Sequence, residues 1–170
     1  IPLVKYVAKK NKPIILSTGI AEKKDIDLVV STIQDEGNND IILLQCTSSY
    51  PSPVDQANLN LITQLKNDYN LITGLSDHTL GYLCPVVAVT LGARLIEKHF
   101  ILDKSIGGPD SSFSLDKNEF KLMIDNIRNT EKALGKASYA LTKKQLDGKY
   151  FSRSLYIVKD VKKGDMVTKE

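Results

Sequence analysis

Gly74-Leu75-Ser76-Asp77-His78 and Ile96-Glu97-Lys98-His99-Phe100 decide how this chain is read. They contain its two histidines, His78 and His99. Each histidine follows a short apolar run of strand character, Asn70-Leu71-Ile72-Thr73-Gly74 before the first and Ala93-Arg94-Leu95-Ile96 before the second. Residues 81–91 between them read as a helix. The result is a strand–helix–strand unit with an imidazole at the same end of each strand. In parallel α/β folds that end is where ligand-binding loops converge. Two neutral imidazoles facing one crevice can bind a divalent metal without filling its coordination sphere. A histidine at a strand end also reads as a hydrogen-bonding or surface residue.

Upstream, residues 2–10 form an amphipathic helix that Lys12-Pro13 ends, because proline cannot continue the hydrogen-bond ladder. Ile14-Ile15-Leu16 is a buried strand opening into Ser17-Thr18-Gly19. A helix over 22–36 follows, with Ile26, Val29, Val30 and Ile33 on one face and Gly37 as its stop. Next come the strand Ile41-Ile42-Leu43-Leu44, the loop Cys46-Thr47-Ser48-Ser49-Tyr50-Pro51 and a helix over 59–69. Downstream, the long polar loop 101–113 turns at Gly107-Gly108-Pro109 and carries Asp110, which can fold back over the site. Ser114-Leu115-Asp116 opens a final helix to Leu134, stopped by Gly135. Residues 136–149 read as a linker. The alternation of 153–158 reads as a strand and 162–165 as a turn, so residues 150–170 are expected to be the start of a small β-rich domain that is cut off.

Four aliphatic strands alternating with helices make an α/β fold with a parallel sheet covered on both faces. A doubly wound sheet and a (β/α)8 TIM barrel both fit. No glycine-rich phosphate fingerprint follows the first strand, and all four post-strand loops are polar, which favours the barrel. A complete barrel takes ~250 residues, so residues 1–135 would supply half of one. The 170 residues carry a formal charge of +3 with acidic residues interleaved, so no basic stripe points to nucleic acid. No apolar run approaches the ~20 residues of a membrane span. Cys46 and Cys84 lack metal-ligand spacing and read as reduced, packed thiols in a cytoplasmic protein. The chain starts Ile-Pro-Leu-Val and ends Val-Thr-Lys-Glu, and we expect it to be a piece of something longer.

Three loops present hydroxyls at one end of the sheet: Ser17 and Thr18, Thr47 to Ser49, and Ser76. Small hydroxyls beside backbone N–H groups suit phosphate or carboxylate oxygens; each also reads as a helix cap. Beside two imidazoles they suit manganese or magnesium, completed by water and substrate oxygens. Glu97 lies two positions before His99, on the same strand face, as an acid/base, a ligand orienter or the partner of an interior lysine. Asp77 and Lys98 have the opposite parity, behind the site or outward. Tyr50 either hydrogen-bonds a polar substrate or packs.

Lys-Pro-Ile-Ile-Leu-Ser-Thr-Gly at 12–19, Cys-Thr-Ser-Ser-Tyr-Pro at 46–51, Gly-Leu-Ser-Asp-His-Thr-Leu-Gly at 74–81, Leu-Gly-Ala-Arg-Leu-Ile-Glu-Lys-His-Phe at 91–100 and Gly-Gly-Pro-Asp-Ser at 107–111 closely resemble the sialic acid synthase family. The resemblance implies an enzyme that condenses phosphoenolpyruvate with an N-acetylated amino sugar, giving a nine-carbon 2-keto sugar acid. It implies a TIM barrel followed by an antifreeze-like (SAF) domain, in a domain-swapped homodimer. This chain would then be the C-terminal half of the barrel and the first strand of the SAF domain. By the same resemblance His78 and His99 bind the metal, Mn2+ with Mg2+ or Co2+ as alternatives. Ser17, Ser48 and Ser76 hold phosphoenolpyruvate, and Tyr50 and Asp110 contact the amino sugar; Glu97 is the candidate catalytic residue on its strand parity alone, not by the resemblance. Some family members have asparagine at the position of Ser48. The family's phosphoenolpyruvate-binding lysines and an acid/base glutamate lie in the first half-barrel and a SAF arginine beyond Glu170, so this segment alone is expected to be inactive. Ser111-Ser112-Phe113-Ser114-Leu115, Ala133-Leu134-Gly135 and Phe151-Ser152-Arg153-Ser154-Leu155 resemble pseudaminic acid synthases more than N-acetylneuraminate synthases, which use N-acetylmannosamine. Two other classes stay open: a metal-dependent hydrolase, which would need more ligands and a water-activating base, and a non-catalytic half-barrel assembly module with exposed strand edges.

Overall fold

Strands β1 (Ile14–Ser17), β2 (Ile41–Cys46), β3 (Ile72–Asp77) and β4 (Leu95–Lys98) form one parallel sheet in chain order. The computed structural model describes residues 1–166 and 168. The chain divides into two units, Ile1–Gly135 and the residues from Lys136 on. The first opens with helix α1 (Pro2–Ala8), and α2 (Lys23–Asp35), α3 (Asn60–Tyr69), α4 (Leu83–Thr90) and α5 (Lys117–Leu134) each follow a strand. A parallel sheet whose strands follow one another in order, with a helix after each, is the repeat from which a (β/α)8 barrel is built, and four units are half of one.

Local chemistry sets the helix ends. A reciprocal capping box of Glu22 and Asp25 starts α2, and one of Asp116 and Glu119 starts α5. Helix α3 stops at Asn70, whose φ of 52° is left-handed. Ser114 and Leu115 lie outside α5: Leu115 instead forms a bridge to Phe100, closing the base of the loop between β4 and α5.

Strand parity divides the sheet into two faces. Ile14, Leu16, Ile41 and Leu43 pack outward against Ile26, Val30 and Ile33 of α2 and Leu65 of α3. Leu75 and Ile96 pack against Ile62 of α3 and Cys84 and Ala88 of α4. The opposite face is ordered in rows by the strand register: Ile15, Ile42 and Ile72; then Ser17, Leu44, Gly74 and Leu95; then Cys46, Ser76 and Glu97. Polarity rises along the strands from aliphatic to hydroxyl and carboxylate. The lowest row is open, with Ile15 at 52% and Ile72 at 53% exposure.

The second unit departs from expectation twice. Within the segment read as a linker, α6 (Lys143–Gly148) forms behind a capping box of Thr142 and Gln145, and a 3-10 turn, Lys149–Phe151, follows. Residues 153–158 form no strand. Alternation alone does not make a strand; it needs a neighbouring ladder for its N–H and C=O groups, and the described residues provide none there.

Gly74 is where the inner face is tightest. A Cβ there would lie 2.2 Å from the Leu95 carbonyl oxygen and 2.7 Å from Leu44 Cδ2. Gly74→Ala should therefore force β3 away from β4, at a cost of about 2 kcal/mol or more. A denaturation midpoint equal to that of the parent protein would contradict this.

Candidate active site

The C-terminal ends of the four strands enclose an open hollow of about 660 Å³. Ser17, Ser48, Tyr50, Ser76, His78, Glu97 and His99 all line it. Asp110 reaches the same place from the β4–α5 loop, with Oδ2 3.4 Å from His99 Nδ1. The residues singled out from the sequence are thus brought together, although they come from four strand ends and a long loop.

Each histidine turns Nδ1 towards an oxygen, by a hydrogen bond at His78 and a longer approach at His99. The Nδ1 of His78 lies 3.0 Å from the Thr47 carbonyl oxygen, an acceptor, so Nδ1 carries the proton and the Nε2 lone pair is left for another partner. The His99 Nδ1 faces the Asp110 carboxylate, which leaves its Nε2 equivalent. The backbone carbonyl of His78 accepts from the Ser52 N–H at 2.8 Å, and that of His99 from the Leu115 N–H at 2.9 Å. The two rings lie 5.2 Å apart, centroid to centroid, and Tyr50 lies against His78 at 4.3 Å with the ring planes tilted by 53°. Phe113 completes the cluster 5.0 Å from His99. The sequence offered one signal for Phe113 that was passed over, an aromatic residue inside a loop of Gly, Pro, Asp and Ser.

The hydroxyls separate into two groups. Thr18 Oγ donates to the Leu44 carbonyl, Thr47 Oγ to that of Gln56 and Ser49 Oγ to that of Pro51, so these three shape the loops. Ser17 and Ser48 are exposed at the hollow. Gly19, at φ +40°, lets the β1 loop pass close to Ser48: a Cβ there would lie 2.8 Å from Ser48 Oγ. Ser76, buried, donates to Glu97 Oε1 at 2.6 Å, which turns that carboxylate across the strands.

Behind the hollow, Lys98 Nζ and Asp77 Oδ2 form a 2.6 Å ion pair, with side chains 1% and 2% exposed. Lys98 also donates to the Thr79 carbonyl, and Asp77 Oδ1 accepts from the Thr79 N–H. Strand parity placed these residues off the hollow; it did not show that they face each other. Beside them burial raises the Cys84 thiol above its ordinary range, keeping it in the neutral, unreactive form.

The lining contains imidazoles and the carboxylates of Asp25 and Glu97, with no lysine or arginine. Asp25 is occupied in capping α2. Such a surface suits a cation and, without one, repels an anionic ligand. Among the described residues no three His, Cys, Asp or Glu side chains converge as metal ligands, so the two imidazoles fit an ion that takes its other ligands from water, substrate or another segment. The nitrogen assignment has a direct check. In 15N imidazole spectra of the neutral ring, His78 should show a protonated Nδ1 and a bare Nε2; the reverse tautomer would contradict the hydrogen bond to Thr47.

Comparison with known proteins follows the same outline. Residues 1–139 match the NeuB family. The chain is 49% identical over 167 residues to a pseudaminic acid synthase of Campylobacter jejuni subsp. jejuni serotype O:2, covering 98% of this chain and 49% of the relative. It is 40% identical over 169 residues to an N,N'-diacetyllegionaminic acid synthase of the same organism, covering 98% and 51%. The crystal structure of an N-acetylneuraminic acid (sialic acid) synthetase from Leptospira borgpetersenii serovar Hardjo-bovis, in complex with citrate, superimposes with a TM-score of 0.79 at 31% identity, covering 88% of this chain and 52% of that one. The chain spans about half the length of the curated relatives it matches. By sequence, and in agreement with its fold, the chain belongs to the NeuB family.

Proposed function

We propose that the protein carrying this chain condenses phosphoenolpyruvate with an N-acetylated amino sugar, releasing phosphate and a nine-carbon 2-keto sugar acid of the pseudaminic type. The observation that carries this reading is the pair of imidazoles, each with Nδ1 turned to an oxygen, lying one step beyond the Ser76–Glu97 row in a NeuB chain. The pseudaminic substrate is favoured by two synthases from one organism, where the chain is 49% identical to the pseudaminic acid enzyme and 40% to the legionaminic acid enzyme. Half of the barrel, with the cationic residues that an anionic substrate requires, comes from outside this chain. A SAF domain, a domain-swapped homodimer and a cytoplasmic location belong to the same proposal.

In this reading C3 of phosphoenolpyruvate attacks the sugar aldehyde, water adds at C2, and phosphate departs by C–O cleavage. The Nε2 atoms of His78 and His99 would hold a divalent cation, Mn2+ by family resemblance, with Mg2+ and Co2+ as alternatives. Once bound, that ion would polarise the aldehyde towards attack. Ser17, Ser48 and Ser76 orient the phosphate and carboxylate oxygens, and Tyr50 and Asp110 contact the amino sugar. Asp110 thereby links sugar binding to the orientation of His99. Glu97, its carboxylate fixed by Ser76, takes a proton from the water adding at C2 and returns one to the alkoxide oxygen formed by aldehyde addition. Holding both substrates on one rigid sheet edge also removes much of the entropic barrier.

The test is phosphate release by the full-length protein with Mn2+, phosphoenolpyruvate and a panel of N-acetylated amino sugars. We expect sugar-dependent release that chelator abolishes, and a kcat about 10²- to 10⁴-fold lower in Glu97→Gln. No release with any sugar, or release that ignores the sugar, would overturn the assignment.

A further inference from the structure

We infer that the buried Asp77–Lys98 ion pair is a positioning device for the histidine pair, setting the separation and angle at which His78 and His99 present their Nε2 atoms. The inference rests on the proposed reading of those histidines as metal ligands. Asp77 immediately precedes His78 and Lys98 immediately precedes His99. The two are register partners at the end of the β3–β4 ladder, the last point where backbone pairing constrains the strands before each histidine. The bond between them crosses from one strand to the other at 2.6 Å, on the face opposite the hollow.

The pair is engaged further by Thr79, the residue after His78. Its N–H donates to Asp77 Oδ1 and its carbonyl accepts from Lys98. His78 is therefore flanked on both sides in sequence by residues tied to Lys98, the neighbour of His99. The remaining restraints come from elsewhere: the Thr47 carbonyl and Ser52 N–H on His78, and Asp110 and the Leu115 N–H on His99. Each of those holds one histidine to a different loop. Among the described residues, the network of Asp77, Lys98 and Thr79 is the one that ties the two histidine-bearing segments to each other by side-chain hydrogen bonds and an ion pair beyond the Ser76–Glu97 bond in the hollow itself.

A buried ion pair gives weak support for stability, because desolvation offsets most of its attraction; specifying one geometry is a use better suited to it. The charges are close and nearly water-free, so a small change in strand separation changes their energy steeply. Two imidazoles sharing one ion need that constancy, since supporting partners behind metal ligands alter affinity about 10- to 100-fold when removed.

The experiment measures the Mn2+ dissociation constant of the full-length protein by electron paramagnetic resonance of free Mn2+, together with its melting temperature. The test variant is Asp77→Asn combined with Lys98→Met, which removes both charges and keeps an acceptor for the Thr79 N–H. We expect the melting temperature to stay within a few degrees of the parent while Mn2+ binding weakens about 10-fold or more. A folded variant that binds Mn2+ as tightly as the parent would overturn the inference and leave the metal reading standing. A parent that binds no Mn2+ at the histidines, shown by equal uptake in His99→Ala, would overturn both. If the double variant does not fold, Asp77→Glu, which keeps both charges and lengthens the bridge by one methylene, gives the decision: weaker binding by the folded protein supports the inference, and unchanged binding rejects it.

Discussion

Parallel pairing of β3 with β4 in a single register, with Ser76 opposite Glu97 and Asp77 opposite Lys98, is the constraint on which the site depends. Because side chains alternate along a strand, that register sends Ser76 and Glu97 into the hollow and Asp77 and Lys98 towards the helices in one step. A slip by one residue would bury Glu97 among aliphatic side chains and turn the lysine into the hollow. The buried ion pair penalises that slip, since separating one partner from the other leaves an uncompensated charge at a cost of about 3–5 kcal/mol. Close contact at Gly74, where β3 approaches the Leu95 backbone, reinforces the same alignment.

The inner face also explains why the sheet is half of something. Its upper rows bear hydroxyls, a carboxylate and imidazoles, whereas the lowest row is aliphatic and half exposed at Ile15 and Ile72. In a closed barrel such residues fill the interior in layers contributed by strands from around the ring. The share of each relative that the chain covers, about half, agrees with the open geometry.

Much of the fold was legible in the sequence because its signals are local. The four aliphatic strands, the helices after them, and the matching positions of His78 and His99 follow from periodicity and turn residues. Parity correctly grouped Ser76, Glu97 and the histidines on one face. What was not legible depends on alignment between segments. Asp77 and Lys98 could be placed off the hollow, but their meeting depends on the β3–β4 register, which no single strand encodes. Phe113 joins the aromatic cluster through the closure of a long loop, and Thr47 acts on His78 through its backbone carbonyl, which residue type cannot reveal. Alternation over 153–158 suggested a strand that has no ladder to join. The helix at Lys143–Gly148 was signalled by Thr142 and Gln145, three residues apart, in a stretch read as a linker.

On the proposed reading, this sheet edge holds a divalent ion between its two histidines. Anomalous diffraction at the manganese edge, from crystals of the full-length protein grown with Mn2+, tests it most directly. The account predicts a single strong peak within bonding distance of Nε2 of both His78 and His99, with Nδ1 of each still turned to Thr47 and Asp110. A peak elsewhere, a peak on Nδ1, or no peak at saturating Mn2+ would contradict it.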